Sequence, residues 1–144
     1  MIERERKFKL KEVPPGLHGQ LIEQGYLMFD GNKHLRVRII NGKKAYLTFK
    51  TIISQTERIE YEYEIPVEDG VEMLNSTNIK LEKIRYKTEW NGNNVDIDIF
   101  KNGLRVVEIE YDGELTSIPD YCGEDVTFNR EYSNLLIAMQ YEKQ

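Results

Sequence analysis

The chain carries 20 basic and 25 acidic side chains in 144 residues, a net charge of −5 that argues against a nucleic-acid polymer as partner. Its 40% hydrophobic and 10% aromatic content can fill one core, so residues 1–144 read as a single folded domain and disorder is excluded. No apolar run nears the ~18 residues of a membrane span, the charged start is no signal peptide, and the lone Cys122 leaves no disulfide framework; the expectation is a cytoplasmic protein with no membrane partner.

Alternation of apolar and polar residues at period two predicts strands over 2–9, 21–29, 34–40, 45–51 and 57–65, then over 81–90, 94–100 and 105–112. Between the first two, Pro14-Pro15 suggests the start of a short helix over 12–20, weakened by Gly19. Asn41-Gly42 and Asn91-Gly92 are hairpin turns, and Asp30-Gly31-Asn32 and Asn102-Gly103 also separate strands, so neighbouring strands pair antiparallel. A helix is predicted over 67–76, with Val67, Val71 and Leu74 on one face. A second is predicted over 129–142, where Tyr132, Leu136 and Met139 share a face beside Leu135. The class is α+β, mainly β.

The polar strand positions are mostly charged, and the charges sort by segment. Glu3, Glu5 and Lys7 share one parity, as do Arg36 and Arg38, then Arg58, Glu60, Glu62 and Glu64. Lys50 lies opposite Phe49; Lys83, Arg85 and Lys87 oppose Ile84 and Tyr86; Asp96 and Asp98 oppose Ile97; Glu108 and Glu110 oppose Ile109. A sheet with one wet face would explain alternation alone. It would not explain the scarcity of Ser, Thr and Gln on that face, nor the segregation of sign. A closed barrel with the charged face as its lumen explains both, with the apolar exterior covered by the helices and compatible with a homodimer. Converging Arg and Lys suit a polyanion, and carboxylates without His or Cys suit a hard divalent cation, Mg²⁺ or Mn²⁺.

The order of these segments resembles the CYTH superfamily, the triphosphate tunnel metalloenzymes. The resemblance begins with Glu3-Arg4-Glu5-Arg6-Lys7, an ExExK pattern, and continues through Leu35-Arg36-Val37-Arg38, Thr48-Phe49-Lys50 and Arg58-Ile59-Glu60-Tyr61-Glu62. It extends to Glu82-Lys83-Ile84-Arg85-Tyr86, Asp96-Ile97-Asp98, Val107-Glu108-Ile109-Glu110-Tyr111 and the late Gly123-Glu124-Asp125-Val126-Thr127. It implies an eight-stranded antiparallel closed barrel, or tunnel, with flanking helices. Glu3, Glu5, Asp98, Glu108 and Glu110 would face metal, with Asp98, Glu108 and Glu110 the firmest group. Lys7, Arg36, Arg38, Lys50, Arg58, Lys83 and Arg85 would bind triphosphate. Glu60 and Glu62 would hold metal, water or the arginines, and Lys7 or Lys83 would stabilise the leaving phosphate. Where relatives carry a basic run, this chain has Arg130-Glu131, so a late cationic contribution is not expected.

The implied activity is divalent-metal-dependent hydrolysis of a triphosphate, with inorganic tripolyphosphate first because little chain remains outside the barrel to recognise a base. An adenylyl cyclase or thiamine triphosphatase of the same superfamily is the alternative, and a non-catalytic polyphosphate- or nucleotide-binding module is the rival of another class. Glu64 and Lys87 read as rim residues, Asp96 is left open, and Tyr26 reads as packing or as a substrate contact. His18 and His34 read as surface residues, Cys122 as an inert thiol and Trp90 as hairpin-end packing.

Overall fold

A computed structural model describes residues 2–142. Strands β1 (Ile2–Leu10), β2 (Gly19–Asp30), β3 (Lys33–Ile40), β4 (Lys44–Ile52) and β5 (Glu57–Ile65) lead into helix α1 (Val67–Asn75). They are followed by β6 (Lys80–Trp90), β7 (Asn93–Phe100), β8 (Arg105–Glu110) and a short β9 (Cys122–Asp125). A 3-10 turn over Arg130–Tyr132 then precedes helix α2 (Asn134–Glu142). Both Asn-Gly pairs take left-handed backbone at both residues, with φ of 52° and 66° at Asn41-Gly42 and 50° and 79° at Asn91-Gly92, as the twist of a tight hairpin requires.

The strands pair antiparallel in the order β5-β4-β3-β2-β6-β7-β8-β1, and β1 returns to β5, so eight strands close into a barrel. The closing seam is short: Ile2, Glu3 and Arg4 stand opposite Ile59, Arg58 and Glu57. Past the seam, β1 offers the same edge to β9, with Phe8 opposite Asp125 and Leu10 opposite Cys122. This ninth strand escapes the alternation reading because Cys122-Gly123-Glu124-Asp125 has no apolar period. Residues 11–18 form turns and coil rather than the expected helix. Gly19 instead opens β2, where a Cβ would lie 2.6 Å from Ile84 Cγ2, so the position is fixed by close strand packing.

Outside the barrel, α1 covers Val37, Ile39 and Ala45 with Leu74. Its buried face runs through Gly70, where a Cβ would sit 2.5 Å from the Ala45 Cβ, and the expected Val71 faces solvent. Phe8, Val95, Ile97, Val107 and Ile109 form a second outer cluster, roofed by Val13, Leu17, Leu115 and Tyr121 from loops.

Helix α2 does not cover the exterior. Ile137 and Ala138, rather than Leu136 and Met139, are its buried residues, and they pack on Tyr26, Leu81, Phe100 and Val106. Those four share strand parity with the lumenal charges, so α2 stoppers one end of the tunnel from inside. The outer side of β4 and β5 stays bare at Phe49, Tyr61 and Tyr63. No helix among the described residues is long and apolar enough to cross a membrane.

Candidate active site

Strand alternation in a closed barrel sends every second side chain inward, and here most of those side chains are charged. A cavity of about 150 Å³ runs along the axis, walled by Glu3 and Glu5 of β1, Arg36 and Arg38 of β3, Lys50 of β4, and Arg58, Glu60 and Glu62 of β5. Arg85 and Lys87 of β6, Asp96 of β7 and Glu108 and Glu110 of β8 complete it. Arg4 and Arg6 point the other way, to Glu57 and Asp112 and to Asp125 respectively.

Most of the cations are already paired. Arg36 donates to Glu60 at 3.0 Å, Arg38 to Glu62 at 2.7 Å, and Arg58 meets Glu5 at 2.9 Å. Arg85 forks onto Asp98 at 2.8 and 2.9 Å and lies 3.3 Å from Asp96, which is thereby lumenal. Lys83 reaches Asp98 and Asn134, both at 2.9 Å, under the ring of Phe100. Lys7 donates to the Tyr132 carbonyl at 3.1 Å and lies 3.8 Å from Glu108. Among the described residues, Lys50 is the buried lumenal cation with no carboxylate in salt-bridge range. Burial, then Arg36 and Arg58, push it down to about 7. Lys83 falls to about 8 through burial and Arg85, with Asp98 and Glu108 opposing.

The carboxylates divide in two. Burial opposes charge on Glu108, but Lys7, Arg85 and Lys83 hold it down to about 2. Glu110, two residues on, has no such neighbours: burial, then Asp96, Glu5, Glu108 and Glu60, push it up to about 7. Glu3 rises to about 8 through burial and its hydrogen bond and repulsion with Glu60. Glu60 keeps the charge of that pair because the Glu3 hydrogen bond, Arg36 and Lys50 outweigh its burial.

This donor set fits a hard divalent cation. Glu3 and Glu110 are oxygen donors crowded by like charge, a condition a cation relieves. No three acidic groups converge at ligating distance among the described residues, so the cluster would draw together on binding. Asp98 fits least well, being fully buried and neutralised by Lys83 and Arg85.

Several lumenal residues escaped the charge pattern. His34 is not on the surface: it is buried, shares parity with Arg36, and meets Tyr26 edge-on at 5.8 Å. Burial, then Lys50 and Arg36, push it down to about 4. Tyr26, Gln24 and Thr48 also face inward; Gln24 donates to the Tyr26 hydroxyl at 3.1 Å, and Thr48 to Glu62 at 2.9 Å. Asn134 seals the floor from α2. Parity places Thr48 with Lys50, and it could have found Tyr26 and Gln24, which stand opposite Arg36 and Arg38 of the neighbouring strand. Asn134 lies outside the strands and has no parity to read; its signal is the Tyr132-Ser133-Asn134 run, which also resembles the family.

A closed antiparallel barrel with interleaved cations and carboxylates inside, and a helix across one end, defines a tunnel-type phosphate-handling protein. Residues 1–135 match the CYTH domain, and the chain belongs to that family. It is 41% identical over 123 residues to an inorganic triphosphatase of Acetivibrio thermocellus, covering 81% of this chain and 78% of the relative. The solved structure of an inorganic triphosphatase superposes with a TM-score of 0.69 at 30% identity, over 95% of this chain and 94% of the other. A conserved hypothetical protein from Pyrococcus furiosus gives 0.64 at 28% identity, over 78% and 80%.

Proposed function

We propose that the chain is a divalent-metal-dependent inorganic triphosphatase that hydrolyses tripolyphosphate and releases phosphate, with Mg²⁺ or Mn²⁺ as its cation. The observation that carries the reading is the interleaving of paired arginines with proton-holding carboxylates around one closed lumen. A module that only bound anions would gain nothing from Glu3, Glu110 and Asp96 beside its arginines. The cations face a comparable number of carboxylates, so a polyanion enters without net repulsion only if further positive charge enters with it.

Glu3, Glu5, Glu108 and Glu110 would hold the metal, which supplies charge neutralisation and a more acidic attacking water when bound. Arg36, Arg38, Arg58 and Arg85 present guanidinium forks to phosphate oxygens, and Glu60, Glu62, Glu5 and Asp98 keep those forks oriented before substrate arrives. Lys83 and Lys7 back the wall, each tied to α2 or to the segment before it. Lys50 has the free ammonium, buried and near neutrality, which suits a proton donor to the departing phosphate oxygen. Water adds to the terminal phosphorus, the bridging P–O bond breaks, and the leaving oxygen takes the Lys50 proton.

The test is a panel of tripolyphosphate, pyrophosphate, ATP and thiamine triphosphate with Mg²⁺ or Mn²⁺ and with EDTA. The expected result is phosphate from tripolyphosphate, no activity in EDTA and little cyclic AMP from ATP. Stoichiometric cyclic AMP and pyrophosphate would replace the reading with a cyclase.

A further inference from the structure

His34 is a buried titratable group to which the proposed reaction gives no task. It stands directly across from Lys50 on the neighbouring strand, and both side chains face inward. On its other side, across β5, Lys50 faces Glu60. That carboxylate is already taken: it accepts from Arg36 at 3.0 Å and is hydrogen-bonded to Glu3. Glu5, the other carboxylate that acts on Lys50, is held by Arg58 at 2.9 Å. The remaining charged groups around Lys50 are cations: Arg36 and Arg58, with Lys7 and Arg130 in the lining that it shares with His34 and Tyr26. Position 34 therefore decides whether Lys50 has a counter-ion of its own.

A carboxylate at that position would be a cross-strand neighbour of Lys50 and would take its ammonium. The chain has an imidazole there instead, fixed edge-on to Tyr26 with 5.8 Å between ring centroids. Burial, with Lys50, Arg36 and Arg58 close by, keeps the ring uncharged. It fills the place without attracting the ammonium and without adding a further repulsion. We propose that His34 is a positioning residue for Lys50, an uncharged ring that leaves the ammonium without a counter-ion and free to meet the departing phosphate oxygen. Lys50 lines the axial cavity, as that contact requires. The task of Lys50 rests on the triphosphatase reading, whereas its want of a partner does not.

The test follows the Lys50 Cε signal against pH by NMR in metal-free protein carrying ¹³C-labelled lysine, with Lys50→Arg to assign it. His34→Glu and His34→Gln are compared with the wild type, and kcat for tripolyphosphate is measured at saturating substrate. The wild-type signal is expected to titrate at about 7. In His34→Glu it is expected to move up by about one to three pH units, as an adjacent opposite charge dictates. There kcat is expected to fall about 10-fold, because the new carboxylate holds the ammonium back. His34→Gln brings no charge, so its signal should stay within about half a pH unit of the wild type and its kcat within about threefold. A wild-type midpoint near 10.5 overturns the proposal, as does an unmoved signal in His34→Glu. So does a loss of kcat in His34→Gln as large as in His34→Glu, which would assign the effect to ring packing against Tyr26. Should His34→Glu fail to fold, a low midpoint retained in His34→Gln supports the proposal and a raised one overturns it. If tripolyphosphate is not hydrolysed at all, the enzymatic reading falls, and the titration alone still decides whether His34 keeps Lys50 unpaired.

Discussion

The two walls of the tunnel are built differently. On the β7, β8 and β1 side, the inward residues include Asp96, Asp98, Glu108, Glu110, Glu3 and Glu5, with Lys7 beside Glu108. The outward Val95, Ile97, Val107, Ile109 and Phe8 are each at most 3% exposed beneath loops. On the β3, β4 and β5 side, the inward residues include Arg36, Arg38, Lys50 and Arg58, while the outward Phe49, Tyr61 and Tyr63 are 42%, 49% and 65% exposed. Beyond the short seam with β1, β5 keeps a single pairing partner, β4, among the described residues. Like charges held close together need a backing that does not yield, and the carboxylates have it. The three arginines, each tethered to a carboxylate, tolerate a thinner wall. Rigidity is thus placed where electrostatic repulsion is greatest.

The largest expected effect tests that contrast in packing. Ile97→Ala on the covered wall should cost about 2–5 kcal/mol, because the methylene groups it removes leave a cavity that the closed cluster cannot fill. Tyr63→Ala on the bare wall should cost less than about 1 kcal/mol, since much of its ring already meets water. Urea unfolding of both variants checks this; equal costs would show that the walls are equally well backed.

Next in size is the contrast between inside and outside. Arg36→Ala and Arg38→Ala should each lower kcat/KM for tripolyphosphate 10- to 100-fold, on the order of 1.5–3 kcal/mol for a charge-assisted contact. Arg4→Ala should change it about twofold or less, because its guanidinium lies outside, near Glu57 and Asp112. Four arginines and two faces of one sheet make the parity argument testable: Arg6→Ala should spare turnover too, although it frees Asp125 and loosens β9. Similar kinetic losses in all four variants would break the distinction between lumen and exterior.

What the sequence disclosed follows from the same physics. Parity is set by the pleat, so an inward Arg38 and an outward Val37 are fixed together, and sign segregation along strands was enough to suggest closure. Strand ends marked by Asn-Gly were legible because few residues adopt left-handed backbone. What stayed hidden depends on contacts distant in sequence. The 3.6-residue period read over 129–142 announced a helix, which begins only at Asn134 after a 3-10 turn, but not which surface it meets, so Ile137 and Ala138 inside the tunnel mouth were not foreseen. His34 lies in step with Arg36, yet a neutral side chain dropped out of a pattern defined by charge. Asp98 shares parity with Asp96 but meets Lys83 as well as Arg85, and pairing across strands cannot be read from one strand.

A smaller effect separates the two carboxylates of β8. Glu108→Gln and Glu110→Gln should each raise the divalent-metal concentration needed for half-maximal activity about 10-fold, since an amide keeps the shape but not the charge that a hard cation needs. Full activity of both at limiting metal would remove these residues from the metal group. Glu108→Gln should also loosen Lys7, whose ammonium loses a neighbour at 3.8 Å; Glu110→Gln should not.

The smallest effect is the most specific to the acidic wall. In the folded protein Glu110 sits at about 7, against 4.5 ordinarily, because burial and then Asp96, Glu5, Glu108 and Glu60 oppose its charge. The folded state therefore binds more protons than the unfolded chain between those values. The stability Glu110 contributes is fully present below pH 4.5 and is lost as pH rises through about 7. Glu3, at about 8, acts in the same direction. Glu108, held at about 2, acts in the opposite one, losing its contribution as pH falls toward that value. Both raised groups are only half-buried, so solvent screening reduces the effect to on the order of 1 kcal/mol for Glu110 between pH 5 and pH 8. Urea unfolding in EDTA should accordingly show the wild type losing more stability than Glu110→Gln over that interval. Adding Mg²⁺ should remove the difference by compensating the repelled charge. Identical pH slopes in the two proteins would mean that the acidic wall is not repulsive when metal-free, and the reason for placing the cation there would go with it.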